Sequence, residues 1–135
     1  MLVFMQKFRA VAIDDVEDIL DLIVYNLNKE GIHVDAFSES AEALEHIIND
    51  PPDIVLSDWM MPFPDGIAVC KVLKNNVKTS HIPIVMLTCK GSLTDYREAL
   101  KAGAQDYLVK PVRMEELIRR VKLLLPHSGG RVNFG

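Results

Sequence analysis

Five side chains in this 135-residue sequence have the types to act together: the pair Asp14 and Asp15, then Asp58, Thr88 and Lys110. Three carboxylates brought close repel one another, so such a cluster either protonates or holds a cation. Hard oxygen ligands with no His or Cys beside them suit Mg²⁺, or Mn²⁺, rather than zinc. The four histidines, at 33, 46, 81 and 127, are scattered and fit no metal-ligand spacing. Magnesium keeps several waters and bridges carboxylates to phosphate oxygens. A Lys110 ammonium and a Thr88 hydroxyl across the same pocket would bind the remaining phosphoryl oxygens. An aspartate can itself be the nucleophile of phosphoryl transfer, giving an aspartyl phosphate, and Asp58, in the middle of the set, is the natural acceptor. Taken singly, each residue has a plain structural explanation. Asp15 could cap a helix, Thr88 could cap a turn and Lys110 could reach for solvent. Only their arrival on one rim of one fold would make them a site.

The hydrophobic pattern supplies that rim. Short apolar runs over 8–13, 53–57, 83–88 and 106–109 read as strands, and 32–37 alternates as a half-buried edge strand would. Between and after them, 16–30, 39–49, 66–75, 93–102 and 113–125 carry apolar residues at helical spacing. In the first helix these are Ile19, Leu22, Ile23 and Leu27, with Gly31 as its stop; Pro51-Pro52 stops the second. Strands joined through helices lie parallel with right-handed crossovers, so the reading is an α/β chain with helices on both faces of one sheet. Sites in such sheets form beyond the carboxyl ends of the strands. Asp14-Asp15, Asp58, Thr88-Cys89 and Lys110-Pro111 follow the first, third, fourth and fifth strands, and the second strand offers no candidate.

Composition narrows the classes. The chain is 49% hydrophobic and 25% charged, ordinary globular usage that argues against disorder, and its length suits one domain. Two cysteines, Cys70 and Cys89, exclude a disulfide scaffold and fit a reducing compartment. No apolar run is long enough to span a bilayer, and the first seven residues make a poor signal peptide, so a cytoplasmic protein with no membrane partner is expected. A net charge of −4 disfavours direct binding to nucleic acid by the domain. Acidic residues gather over 14–21 and basic ones over 113–122, which reads most simply as solvated helix faces.

With Asp14-Asp15, the run Asp58-Trp59-Met60-Met61-Pro62-Phe63-Pro64-Asp65-Gly66, then Thr88, then the run from Gly103 through Tyr107 to Lys110-Pro111, the chain resembles the CheY-like receiver domains of two-component response regulators. The likeness covers residues 8–125, leaving 126–135 as a tail or the start of a linker. It implies a flavodoxin-like, doubly wound five-stranded parallel sheet in the order 2-1-3-4-5. It implies that Asp58 accepts a phosphoryl group from the phosphohistidine of a histidine kinase or phosphotransfer protein. Asp15 and Asp58 would bind Mg²⁺ directly, Asp14 mainly through water, and the Met60 backbone carbonyl would add a ligand. Thr88 would hydrogen-bond the phosphoryl oxygen and Lys110 would pair with it. Pro111 matches the family's cis-proline, and Tyr107 the aromatic residue that moves inward with Thr88. The responding face would be the fourth helix, fifth strand and fifth helix, acting on an effector that the sequence does not identify. No residue decides whether that face makes a homodimer. Such a chain catalyses only its own phosphorylation and dephosphorylation, and is no enzyme with an external product. With so few residues after the last helix, no effector domain is expected here, and the sequence leaves open a stand-alone regulator or a piece of a longer one.

Several residues depart from the family pattern. Pro64 is expected to stiffen its loop. Met60 is apolar where the chemotaxis protein is polar, and with Lys90 borders the path of water to the acceptor, so Met60 is expected to alter the phosphoryl lifetime. Trp59 is expected to be partly exposed, Cys70 to be core, and Cys89 to be a small, partly buried thiol. Three other readings share parts of this pattern. An FMN protein would need a Ser/Thr/Gly-rich cradle after the first strand, where this chain places acids. An aspartate-nucleophile phosphatase would need Asp-x-Asp there, which is absent. A receiver-like module that docks or dimerises without phosphorylation would typically lack one of the key residues, and all are present.

Overall fold

A computed structural model describes residues 8–126. The N-terminal seven residues and the tail from 127 onward, including almost all of the expected linker, lie outside the described residues. Strands and helices alternate: β1 (Phe8–Ile13), α1 (Glu17–Asn28), β2 (Ile32–Phe37), α2 (Ser40–Asn49), β3 (Ile54–Asp58), α3 (Gly66–Lys74), β4 (Ile84–Thr88), α4 (Leu93–Ala102), β5 (Asp106–Val109) and α5 (Met114–Leu124). The five strands form one parallel sheet in the order β2-β1-β3-β4-β5, as the likeness implied. Every residue of β3 and β4 is buried, the signature of central strands covered on both faces. No helix among the described residues is long and apolar enough to cross a membrane.

Two hydrophobic clusters lie on opposite faces of the sheet. One unites Val11, Ile13, Val55 and Met86 with Ile47 of α2, Leu73 of α3 and Ala99 of α4. The other unites Ala12, Leu56 and Leu87 with Ile23 of α1 and Leu117 and Val121 of α5. In α1 Leu20 is buried with Ile23 and Leu27, and Leu22 is 52% exposed. Ile19, Leu22, Ile23 and Leu27 all fit a helical stripe, but the stripe centres on Leu20, Ile23 and Leu27, which turns Leu22 to its edge.

Several local devices end the elements near the rim. Asp65 caps α3, its carboxylate accepting from the Ala68 N–H at 2.9 Å. Ser92 caps α4 in the same way, accepting from the Asp95 N–H at 3.0 Å. Gly103 closes α4 at φ 117°, a left-handed turn, with its α-carbon face against Lys74 of α3. The Ser40 hydroxyl donates to the Pro64 carbonyl at 2.6 Å and ties the start of α2 to the loop between β3 and α3.

Candidate functional site

Parallel strands end together, and their last residues converge. Asp58 and Thr88 are the last residues of β3 and β4, with Asp58 in register with Leu87 and Thr88 with Val109. Asp14 and Asp15 follow β1, and Lys110 follows β5. Asp14 and Asp58 are nearly buried, at 1% and 5% exposure, while Asp15 faces solvent. One oxygen from each of the three carboxylates lies within 4.8 Å of the other two, and no other such group of metal-ligating atoms is found among the described residues.

Lys110 enters from the other side. Its Nζ lies 2.8 Å from Asp14 Oδ2 and 3.4 Å from Asp58 Oδ1, and its backbone N–H donates to the Thr88 carbonyl at 2.8 Å. Asp14 is fixed by two further bonds: its Oδ1 accepts from the Val16 N–H at 2.9 Å and its own N–H donates to the Phe37 carbonyl at 3.1 Å. One ammonium against three carboxylates leaves the pocket negative. Burial and then the neighbouring Asp14 push the Asp58 carboxyl above its ordinary pKa, only partly offset by Lys110. For Lys110, burial works to lower the pKa, but the Asp14 hydrogen bond and the charges of Asp14 and Asp58 outweigh it, and the net shift is upward. A charged lysine beside an uncompensated, all-oxygen carboxylate set fits a hard divalent cation such as Mg²⁺.

The loop after β3 forms one wall. The Gly66 N–H donates to the Trp59 carbonyl at 2.9 Å. A side chain at Gly66 would put its Cβ 2.6 Å from the Asp58 carbonyl oxygen and 2.7 Å from Trp59 Cα, so only glycine allows the loop to close this tightly on Asp58. That closure turns Trp59 inward. It is 4% exposed, where partial exposure was expected, and packs edge-on against Tyr107 with 6.3 Å between ring centroids. Met60 and Phe63 stay outside, at 57% and 87% exposure. The Lys110–Pro111 peptide is cis, as the likeness implied, and so is Phe63–Pro64, which no sequence pattern marked.

Thr88 is fully buried, and its Oγ1 accepts from the Lys90 N–H at 3.2 Å. Tyr107 is buried between Trp59 and Tyr96, edge-on to the latter at 5.6 Å, and its hydroxyl has no hydrogen-bond partner. Cys70 is core, as expected, its thiol pushed up to about 12 by burial. Cys89 is exposed rather than partly buried, and it lines an apolar cleft of about 360 Å³ with Lys110, Pro111, Ile23 and Leu117.

Residues 10–122 match the family described as response regulator receiver domain. The chain belongs to that family. It is 37% identical over 117 residues to the phosphate regulon transcriptional regulatory protein PhoB of Rhizobium meliloti, covering 87% of this chain and 52% of that protein. The receiver thus spans about half the length of that relative. Among solved structures it resembles the receiver domain of the Francisella response regulator 1452, at 33% identity and a TM-score of 0.82, covering 87% of this chain and 96% of that one. It also resembles the chemotaxis response regulator CheY4 of Vibrio cholerae, at 28% identity and a TM-score of 0.83, covering 87% and 98%. The acidic cluster and lysine thus stand in a receiver fold. Ser40 and Gly66 hold the loop after Asp58 in place and carry no role in the sequence reading. Gly66 carries a signal in the run Pro64-Asp65-Gly66, whereas nothing in the sequence marks Ser40 to bond a loop carbonyl 24 residues away.

Proposed function

We propose that this receiver accepts a phosphoryl group on Asp58 from a phosphohistidine, and that the modified face then controls a partner. The carrying observation is the buried Asp58 carboxylate held within 3.4 Å of Lys110 and beside Asp14 and Asp15. An Asp58 oxygen attacks phosphorus, the O–P bond forms as the P–N bond breaks, and the imidazole leaves with a proton. Asp15 and Asp58, with Asp14 through water and the Met60 carbonyl, would hold Mg²⁺, which neutralises charge on the phosphoryl oxygens when bound. Lys110 exchanges part of its contact with Asp58 for a pair with the new phosphoryl oxygen. The Thr88 hydroxyl turns to donate to another oxygen, and Tyr107, already inward, fills the space beside it. Hydrolysis by water returns the free carboxylate and inorganic phosphate, so the chain resets itself without an external product.

The donor is read as a histidine kinase or phosphotransfer protein, acting in the cytoplasm where both thiols stay reduced. The output face is α4, β5 and α5. Exposed Leu93, Tyr96, Leu100 and Val109 there support docking of an effector or of a second copy. The relative named as a transcriptional regulator supports a transcriptional output for a longer chain, while the −4 charge supports a receiver that does not itself touch nucleic acid. The alternative, a docking module that works without phosphorylation, is disfavoured by the intact set of Asp14, Asp15, Asp58, Thr88 and Lys110.

Intact mass after incubation with acetyl phosphate and Mg²⁺ decides between them. One added phosphoryl group, lost without Mg²⁺ and lost in Asp58→Asn, is expected. No added mass on the unaltered chain would overturn the proposal in favour of the docking module.

A further inference from the structure

We propose that Lys90 couples the acceptor end of β3 to the first turn of α4; the proposal rests on the reading of Asp58 as the phosphoryl acceptor. Lys90 stands between the two. At its root, its backbone N–H donates to Thr88 Oγ1 at 3.2 Å. At its tip, the ammonium lies 4.8 Å from the ring centroid of Trp59, the residue that follows Asp58, and 3.7 Å from Asp95 Oδ1. Asp95 belongs to the start of α4: its N–H donates to Ser92 Oγ at 3.0 Å, and its Oδ2 accepts from the same hydroxyl at 2.8 Å. A single residue therefore touches the phosphoryl-sensing threonine, the acceptor's neighbour and the cap of α4.

The strengths of these contacts make the link movable. The Lys90–Asp95 pair is longer than the other ion pairs among the described residues, and the ammonium divides itself between a carboxylate and an indole face. The helix it steadies is weakly anchored, with Ala99 its only buried residue, so its end contacts matter more than they would on a deeply packed helix. A phosphoryl group on Asp58 replaces a carboxylate by an acyl phosphate of up to about two negative charges, a net gain of roughly one, next to Trp59. When the Thr88 hydroxyl turns toward that group, the Lys90 N–H loses its acceptor. The added charge draws the Lys90 ammonium toward the acceptor, the freed backbone lets it follow and leave Asp95, and the first turn of α4 loosens. This route runs through Trp59 and Asp95 and needs no movement of Tyr107. By reciprocity, a partner that holds Asp95 against Lys90 would disfavour the phosphorylated state.

Hydrogen exchange of the amides of residues 93–96, read by mass spectrometry with and without acetyl phosphate and Mg²⁺, tests the proposal. The full chain is compared with Lys90→Met, which keeps length without charge, and Lys90→Arg, which keeps the charge and the ring contact. Phosphoryl uptake is scored in parallel by intact mass. In the unaltered chain, phosphorylation should speed exchange of these amides by roughly threefold or more. Lys90→Met should show the faster exchange already without phosphodonor and respond little to it, while still gaining the phosphoryl mass. Lys90→Arg should restore the response. A phosphorylated Lys90→Met chain whose amides respond as the unaltered chain does would overturn the coupling. If the unaltered chain gains no phosphoryl mass, the functional reading fails separately, and equal unphosphorylated exchange in the unaltered chain and Lys90→Met then overturns the coupling too.

Discussion

At the scale of single residues, the pocket rests on close approach. Gly66 has no room for a methyl group, because the atoms it would meet include the Asp58 carbonyl oxygen and Trp59 Cα, which are backbone and cannot swing aside. Gly66→Ala is therefore expected to cost about 1–3 kcal/mol and to lower the midpoint of urea unfolding. The shifted loop should also slow phosphoryl uptake. Met60 is a different case, since its exposed side chain can change without disturbing the core. An apolar group at the mouth of the pocket holds no water in line with the acyl phosphate. Met60→Asn is expected to shorten the phosphoryl lifetime about tenfold, the equivalent of ~1.4 kcal/mol in the barrier, as followed by loss of the phosphoryl mass after donor removal. An unchanged lifetime would remove Met60 from the path of the water.

At the scale of elements, α4 differs from its neighbours. Where α3 buries Ile67, Val69, Cys70 and Leu73, α4 buries one alanine. Its ends do more of the work, and its C-terminus depends on Gly103 in the left-handed region, where an added Cβ would also press on Lys74 Cγ at 2.5 Å. Gly103→Ala should cost about 1–2 kcal/mol, seen as a lower melting temperature with α4 amides exchanging first. The elements themselves were legible in the sequence. Buried parallel strands are unbroken apolar runs, and β1, β2, α4 and β5 occur at the bounds read from that pattern. The other ends moved by a residue or two, since caps depend on side-chain geometry that periodicity does not carry. The strand ends are legible for the same reason as the strands, which is why the pattern alone already sets Asp14, Asp58, Thr88 and Lys110 on one rim. What the pattern could not carry was the path of a loop. The inward turn of Trp59 follows from how Gly66 packs on β3, a contact between residues that no period relates.

At the scale of the whole molecule, charge clusters tie the edge of the sheet to its covering helices. Asp35 of β2 accepts from His33 Nε2 at 2.9 Å and pairs with His46 of α2 at 3.1 Å. Burial pushes its carboxyl pKa up, but the His33 contacts and then those of His46 outweigh it, and the net shift is below the usual 3.8. A depressed acid stabilises the fold above its unfolded pKa, and that contribution is lost as pH falls through the lower folded value. The melting temperature of the unaltered chain should thus fall more steeply than that of Asp35→Asn between about pH 4 and pH 2. The difference should stay within ~1 kcal/mol for so exposed a cluster. The two thiols divide the molecule in another way. One is sealed among α3 side chains with its proton held up to about 12, and the other stands free one residue past Thr88. A maleimide dye should attach to the native chain once, at Cys89, and a second time only after unfolding. The protein therefore carries its own attachment point for a fluorophore one residue past Thr88, and the state of the acidic pocket could be followed by colour without adding a single foreign residue.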